Sequence, residues 1–297
     1  PTFNNLANCR AYLCDWSSRE DDLSVIKTFR KEETLQVGVF EVGGLQLSEK
    51  EEVGLAKKKA KEFLDKTKGF RDALNFRFDK KKSGKKRIGF LSSDLRNHAV
   101  GHLFSGLVQN LDTEKFETFV YSTSPDDGSD VRKTISEASG NFRELFPQPL
   151  ARRARMIHDD DLDLLVDLGG FSMGNNAELL ALRPTRRQAQ FLGYASSMGK
   201  GVIDCLIADN YVLPKSSRKL YSEEVVCMAG PCLPPGEFTN FAKRSARKAV
   251  GLPAKGIVFC AFHAAYKIDP QVFAAWMSIL KAVPDSILWL KFKPAES

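Results

Sequence analysis

Arg87-Ile-Gly-Phe-Leu-Ser-Ser-Asp-Leu-Arg-Asn-His-Ala-Val-Gly-His102 decides how this chain is read. Ile88 to Leu91 is a short apolar run without polar alternation, the pattern of a strand buried on both faces of a parallel sheet. Ser92, Ser93 and Asp94 are helix-starting residues, and Val100, Leu103, Leu107 and Val108 then recur at helical spacing. Strand, loop and helix in that order put the loop at the carboxyl edge of an open α/β sheet, where ligands bind. Asp94, Asn97, His98 and His102 are therefore the first candidate site residues. His98 and His102 stand four apart, on one helix face near its positive end. Three readings remain open on the residues alone. The pair could hold a metal, although no glutamate or cysteine nearby completes a tetrahedral set. Asp94 could be a plain helix cap with two packed histidines beside it. The cluster could also handle protons or orient a substrate.

Outward from this stretch the pattern repeats. Phe116 to Tyr121 reads as a second strand, Val131 to Ala138 and Leu150 to His158 as helices, and Leu162 to Leu168 as a third strand. A helix over Glu178 to Leu182 ends before Pro184, and Gln190 to Gly193, Cys205 to Ala208 and Val225 to Met228 read as further strands. Strands separated by helices imply a doubly wound, parallel α/β sheet. Beyond the Pro231 to Gly236 punctuation a helix is expected over Phe241 to Val250, then a buried strand over Ile257 to Phe262. Asp269 caps a helix with Pro270 in its first turn, and Ile287 to Phe292 is another strand. His263, Tyr266 and Lys267 fall on a loop beside that helix's amino end, a natural anion site. Lys267 could meet a phosphate there or be a solvated surface charge.

Upstream, Pro1 to Ser83 reads as an accessory region. It carries an amphipathic helix marked by Leu23, Ile26 and Phe29, a glycine-bearing loop or strand over Val37 to Gly44, and a helix over Val53 to Phe63. Lys80 to Lys86 is a boundary candidate. The expected domains are residues 1–84, a mostly helical linker region; 85–235, a complete Rossmann-like lobe; and 236–297, the start of a second lobe.

The chain has 297 residues and a formal net charge of +7, drawn largely from Lys57 to Lys61 and Lys80 to Arg87. With little aromatic interleaving, these runs read as solvated linker; a basic face for nucleic acid or an anionic membrane is the alternative. The six cysteines (Cys9, Cys14, Cys205, Cys227, Cys232 and Cys260) form no CxxC pair, which fits thiols in a reducing, intracellular compartment, cytoplasm or nucleus first. No apolar run reaches the roughly 18 residues of a membrane span. The chain opens on proline without a signal-peptide pattern, which reads as a fragment.

Five segments together carry a resemblance. They are Arg-Ile-Gly-Phe-Leu-Ser-Ser-Asp-x-x-Asn-His at 87–98, Ser-Pro-Asp-Asp-Gly at 124–128, Glu-Leu-x-Ala-Leu-Arg-Pro at 178–184, Phe-Leu-Gly-Tyr at 191–194 and Tyr-Lys-Ile-Asp-Pro at 266–270. In this order they resemble the O-GlcNAc transferase family, which includes the Spindly-type O-fucosyltransferases, and Cys14-Asp15-Trp16 resembles a segment just before that family's catalytic region.

The resemblance implies a GT-B-like, two-lobed protein O-glycosyltransferase. It would move a sugar from a nucleotide donor, UDP-GlcNAc first, to serine or threonine of acceptor proteins, inverting and without metal or other cofactor. By position, Asp94 and His98 match the pair proposed for proton handling and orientation. His102 matches a further histidine of that helix, Leu192, Gly193 and Tyr194 match a donor-pocket loop, and Tyr266 and Lys267 match a segment whose lysine neutralises the developing diphosphate charge. His263 joins them as a binding candidate. A tetratricopeptide array usually precedes such lobes, and no 34-residue period occurs in Pro1 to Ser83.

Departures from the family pattern are Ala99 and Val100 for Pro-Thr, Ser172 and Met173 for Thr-Lys, Asn176 for arginine, Ala195 for proline and Ala264 for glutamine. A family histidine upstream has no counterpart near Phe40 and Glu41. After Gly236 only two strands and one helix are expected, against about five or six strands in an open sheet, so the uridine grip would lie past Ser297. The alternative is a catalytically degenerate homologue acting as an interaction subunit, with a partner chain covering the edge at Ile287 to Phe292.

Overall fold

The computed structural model describes residues 2–31, 47–78, 84–234 and 243–291. Val37 to Gly44, Phe40, Glu41 and most of the Lys80 to Lys86 run lie outside them, as do Phe241 and Phe292. The chain divides into two units. Residues 47–78 and 84–234 form the larger one, and residues 2–31 join 243–291 in the other.

The larger unit is a parallel sheet of seven strands in the order β3-β2-β1-β4-β5-β6-β7. Strand β1 (Lys86–Ser92) pairs with β2 (Phe116–Ser122) on one side and β4 (Leu164–Asp167) on the other; β3 (Asn141–Glu144), β5 (Gln188–Gln190), β6 (Cys205–Ala208) and β7 (Glu224–Cys227) complete the sheet. Adjacent residues of a strand face opposite sides, and the core divides accordingly. Leu91, Tyr121 and Leu165 pack with helices α3 (Glu49–Leu74), α6 (Leu150–Asp159) and α7 (Ala177–Ala181). Phe90, Val120 and Val166 pack against α4 (Ala99–Gln109) and α5 (Asp130–Ala138) on the other face. The strand order reverses between β1 and β4, which opens a crevice above their carboxyl ends.

Several expectations are corrected. Ser92 to Asp94 do not start α4: Ser92 remains in β1, where its Oγ accepts the Asp94 N–H, and His98 is the cap, its Nδ1 accepting the Val100 N–H. Strand β3 was not expected, because Asn141-Phe-Arg-Glu144 offers one apolar residue and lies at the sheet edge. The strand expected over Gln190 to Gly193 runs instead over Gln188–Gln190, and the chain turns at Leu192 with φ of 80°. Lys57 to Lys61 are not linker; they belong to α3, which begins at a Ser48/Glu51 capping box and buries Ala56 and Ala60. No helix is described over 243–250 beyond a 3-10 turn at Arg247–Val250.

The smaller unit holds α1 (Thr2–Tyr12), α2 (Arg19–Lys31), a parallel pair β8 (Val258–Ala261) and β9 (Ile287–Leu290), and α8 (Pro270–Ala282) between those strands. Asp269 caps α8 as expected, its Oδ1 accepting the Val272 N–H at 2.8 Å. Tyr12 stacks obliquely on Tyr266 at 5.0 Å and Trp16 on Phe273 at 5.5 Å. The expected accessory region 1–84 is thereby split, since its first helices group with residues 243–291 while α3 packs on the large sheet. The strand expected to be buried over Ile257 to Phe262 is half-exposed, and α8 has no buried residue. No helix among the described residues is long and apolar enough to cross a membrane.

Candidate functional site

Three loops meet above the crevice, following β1, β4 and β5. The first carries Asp94, whose side chain is 9% exposed; its Oδ1 is 3.4 Å from Arg96 Nη2 and its Oδ2 is 3.8 Å from His98 Nδ1. Because Nδ1 of His98 accepts the Val100 N–H at 3.3 Å, the neutral ring carries its proton on Nε2. His98 thus caps α4 and presents an N–H donor from a side chain that is 44% exposed. His102 Nε2 pairs with Asn97 Oδ1 at 3.0 Å. Among the described residues no group of three or more His, Cys, Asp or Glu could hold a metal ion.

This loop is held from the β2 side. Asn97 N–H donates to Asp127 Oδ2 at 2.9 Å, and that hydrogen bond together with the Ser129 hydroxyl brings the Asp127 carboxyl down to about 2. Asp127 belongs to the Ser124-to-Gly128 motif, which therefore serves as an anchor. Buried Arg132 donates to Leu95 O and Ser122 Oγ and takes Glu144 bidentately at 2.7 and 2.6 Å. Neither Asp127 nor Arg132 had been singled out as a site residue; the charged run after β2 was the available signal.

The loop after β4 begins at Asp167, wholly buried, whose Oδ2 accepts the Gly170 N–H at 2.6 Å. Burial pushes this carboxyl up to about 7. An Asp closing an apolar strand before Gly169-Gly170 was the sequence signal for it, and it was missed. Gly170 has φ of 57°, and a Cβ there would lie 2.3 Å from the Tyr194 Cβ, so the third loop rests directly on this glycine. In that third loop Leu192 is half-buried, and Gly193 N–H donates to Leu168 O at 3.0 Å. Gln190 Nε2 supports the same loop by donating to the carbonyls of Tyr194 and Ser196, and burial raises the Tyr194 hydroxyl.

Asp94, His98, His102, Leu192, Gly193 and Tyr194 accordingly share one edge of the larger unit. His263, Tyr266 and Lys267 belong to the smaller unit. Lys267 is exposed, with its ammonium 5.8 Å from the Tyr266 ring centroid and no carboxylate partner among the described residues. His263 is exposed and Tyr266 half-buried.

A family model for glycosyl transferase family 41 matches residues 14–233 and 235–297. The chain belongs to glycosyl transferase family 41. Its relatives in this family include a protein of Arabidopsis thaliana named as the probable UDP-N-acetylglucosamine-peptide N-acetylglucosaminyltransferase SEC. It is 31% identical over 220 residues, 70% of this chain and 22% of the relative. The Arabidopsis thaliana protein named SPINDLY is 27% identical over 222 residues, 70% of this chain and 23% of its own length. A solved mutant O-GlcNAc transferase of Thermobaculum terrenum superposes with a TM-score of 0.74 at 23% identity, over 97% of this chain and 54% of that one. That likeness shows the α/β, GT-B-like fold. This family 41 chain spans about a quarter of the length of the curated relatives it matches.

Proposed function

We propose that this chain supplies the first catalytic lobe, and part of the second, of a protein O-glycosyltransferase. The enzyme transfers a sugar from a nucleotide donor to serine or threonine hydroxyls of acceptor proteins with inversion. Membership of family 41 across both segments is the observation that carries the reading. Its support is the placement of Asp94 and His98 at the carboxyl ends of β1 and β4, where the strand order turns.

The geometry suits a division of roles. His98, capping α4 through Nδ1, offers Nε2–H to orient an acceptor or sugar oxygen, while the Asp94 carboxylate beside it accepts the proton as the acceptor hydroxyl attacks. Lys267 offsets charge on the departing diphosphate, and Leu192 to Tyr194 shape the donor pocket. UDP-GlcNAc is the first donor to test and a fucose nucleotide the second; protein acceptors are the partners.

The test uses the full-length protein with each radiolabelled donor and total cell protein as acceptor. His98→Asn retains the cap, since an asparagine oxygen can take the Val100 N–H, so its expected loss of transfer is not a folding effect. Lys267→Ala is expected to lower transfer by about two orders of magnitude, typical of losing an electrostatic group at a developing anion. Equal incorporation by wild type and both variants overturns these roles. No incorporation from either donor overturns the enzyme reading in favour of an interaction subunit.

A further inference from the structure

The three loops above the crevice are poor in charge. Residues 168–176 after β4 and 191–199 after β5 contain no aspartate, glutamate, lysine, arginine or histidine, and the loop after β1 carries a single permanent cation, Arg96. The roles assigned so far leave this residue unused. Its backbone is fixed, because the carbonyl accepts the His98 N–H at 2.6 Å and a Cβ at Gly101 would lie 2.1 Å from the same oxygen. Its head is loosely held. The side chain is 46% exposed, and among the described residues its one hydrogen bond runs from Nη2 to Asp94 Oδ1 at 3.4 Å. That length is at the outer limit of a hydrogen bond, and a half-exposed pair of this kind is weak. A guanidinium has five N–H donors in a planar fork, so most of them remain for solvent or a ligand.

We infer that Arg96 is a specificity residue, which leaves Asp94 for a carboxylate carried by the acceptor protein beside the hydroxyl to be modified. The inference deepens the proposed function and rests on it, since there Asp94 receives the proton of that hydroxyl. While Arg96 donates to Oδ1 and the His98 ring lies 3.8 Å from Oδ2, an incoming hydroxyl must compete for the carboxylate. An acceptor that brings its own acid takes the guanidinium away and uncovers Oδ1. The exchange is favourable, because a carboxylate free to approach the fork can be held bidentately, whereas Asp94 is held through one long contact.

The surroundings leave the acceptor as the source of that acid. Asp127 is engaged by the Asn97 N–H and the Ser129 hydroxyl, and Asp126 lies 3.2 Å from Arg132 Nε, so neither neighbouring carboxylate claims Arg96. The donor diphosphate is already given a cation, Lys267, on the smaller unit.

The test uses the full-length protein and two labelled serine peptides that differ only in having glutamate or glutamine on both sides of the serine. Fluorescence anisotropy reads their affinities without turnover. The wild type is expected to bind the glutamate peptide about tenfold more tightly, the effect of one charge-assisted pair. Arg96→Gln should lose that preference, and Arg96→Glu should instead favour a third peptide with lysines at those places. A merely structural role would weaken all three peptides alike and leave the ratios standing. Equal affinities in the wild type, or a ratio that survives in Arg96→Gln, overturns the inference. A weaker grip on uridine diphosphate in Arg96→Gln with the peptide ratio intact also overturns it, by assigning the residue to the donor. Where transfer is measurable, the preference should appear in KM. Peptide ratios that behave as expected without any transfer would count against the enzyme reading alone.

Discussion

Replacing Arg132 by methionine keeps much of the buried stem and removes every polar contact of the guanidinium. The side chain is 3% exposed, while its carboxylate partners Asp126 and Glu144 are 67% and 50% exposed. Those two carboxylates regain water when the arginine is lost, so the ion pairs themselves contribute at most about 1 kcal/mol each. The buried acceptors do not regain water. Leu95 O and Ser122 Oγ lose donors at 3.2 and 2.8 Å, and each deprived buried group costs about 1–3 kcal/mol. Arg132→Met should therefore destabilise the larger unit by roughly 3–4 kcal/mol, and Glu144→Gln by less than about 1 kcal/mol. Arg132→Lys should rescue only part, because one ammonium cannot span the fork that serves Leu95, Ser122 and Glu144 together. Urea unfolding followed by far-ultraviolet circular dichroism is the suitable assay, since Trp16, Trp276 and Trp289 all lie in the smaller unit and would not report on this site. Equal costs for Arg132→Met and Glu144→Gln would refute the reasoning, by showing that the exposed pair carries the energy.

Gly193→Ala places a Cβ 2.2 Å from the Leu168 carbonyl oxygen and should cost about 2 kcal/mol in the same unfolding assay, as overpacking against backbone does. Glu223→Ala strips acceptors from Ser197 Oγ and the Met198 and Gly199 N–H groups, and a loss of about 3 kcal/mol is expected, measured by the shift in urea midpoint. For Asp167 the carboxyl is raised from 3.8 to about 7 in the folded state, so unfolding releases a proton between those values and stability falls as pH rises through them. The total decline is roughly 4 kcal/mol, full stability lying below the lower value and none of this contribution remaining above the upper one; Asp167→Asn should flatten that component.

Elements whose signal is local were legible in the sequence. Strand β1 ends a run of buried apolar residues, β6 coincides with Cys205–Ala208, and α8 announces itself through Asp269 and Pro270. Features that depend on partners distant in sequence were not. Cys14 Sγ reaches Ala265 O at 3.7 Å across 251 positions, and nothing local to either residue records that the chain's first helices group with its last segment. The cap of α4 escaped for a related reason. Ser92 has the right chemistry for a cap but is held in β1, paired with Ser122 on β2, which leaves the His98 ring to take the Val100 N–H. The candidate site was legible where motifs name residues that are presented to a ligand, such as Asp94 and His98. It was illegible where the residue supports from beneath, because the roles of Asp167, Gln190 and Arg132 follow from strand register and loop packing.

The two kinds of residue bear differently on what the crevice does. Asp127, Arg132, Asp167 and Gln190 are engaged in holding loops, whereas His98 is turned outward and Met173 is 88% exposed. Several departures from the family pattern, Ser172, Met173 and Ala195, fall on half-exposed or exposed positions, where a substitution changes what a ligand meets without releasing an anchor. Val100 and Asn176 are buried, and Asn176 is polar as well. Where the resemblance expects an arginine, this chain has a buried neutral amide that acts on the Asp167 carboxyl without bringing a positive charge. A guanidinium there would favour the ionised carboxyl. With asparagine, burial prevails and holds the carboxyl up at about 7. The substitution that looks like the loss of a site charge thus also sets the state of the carboxyl that holds the Gly170 N–H beneath Tyr194.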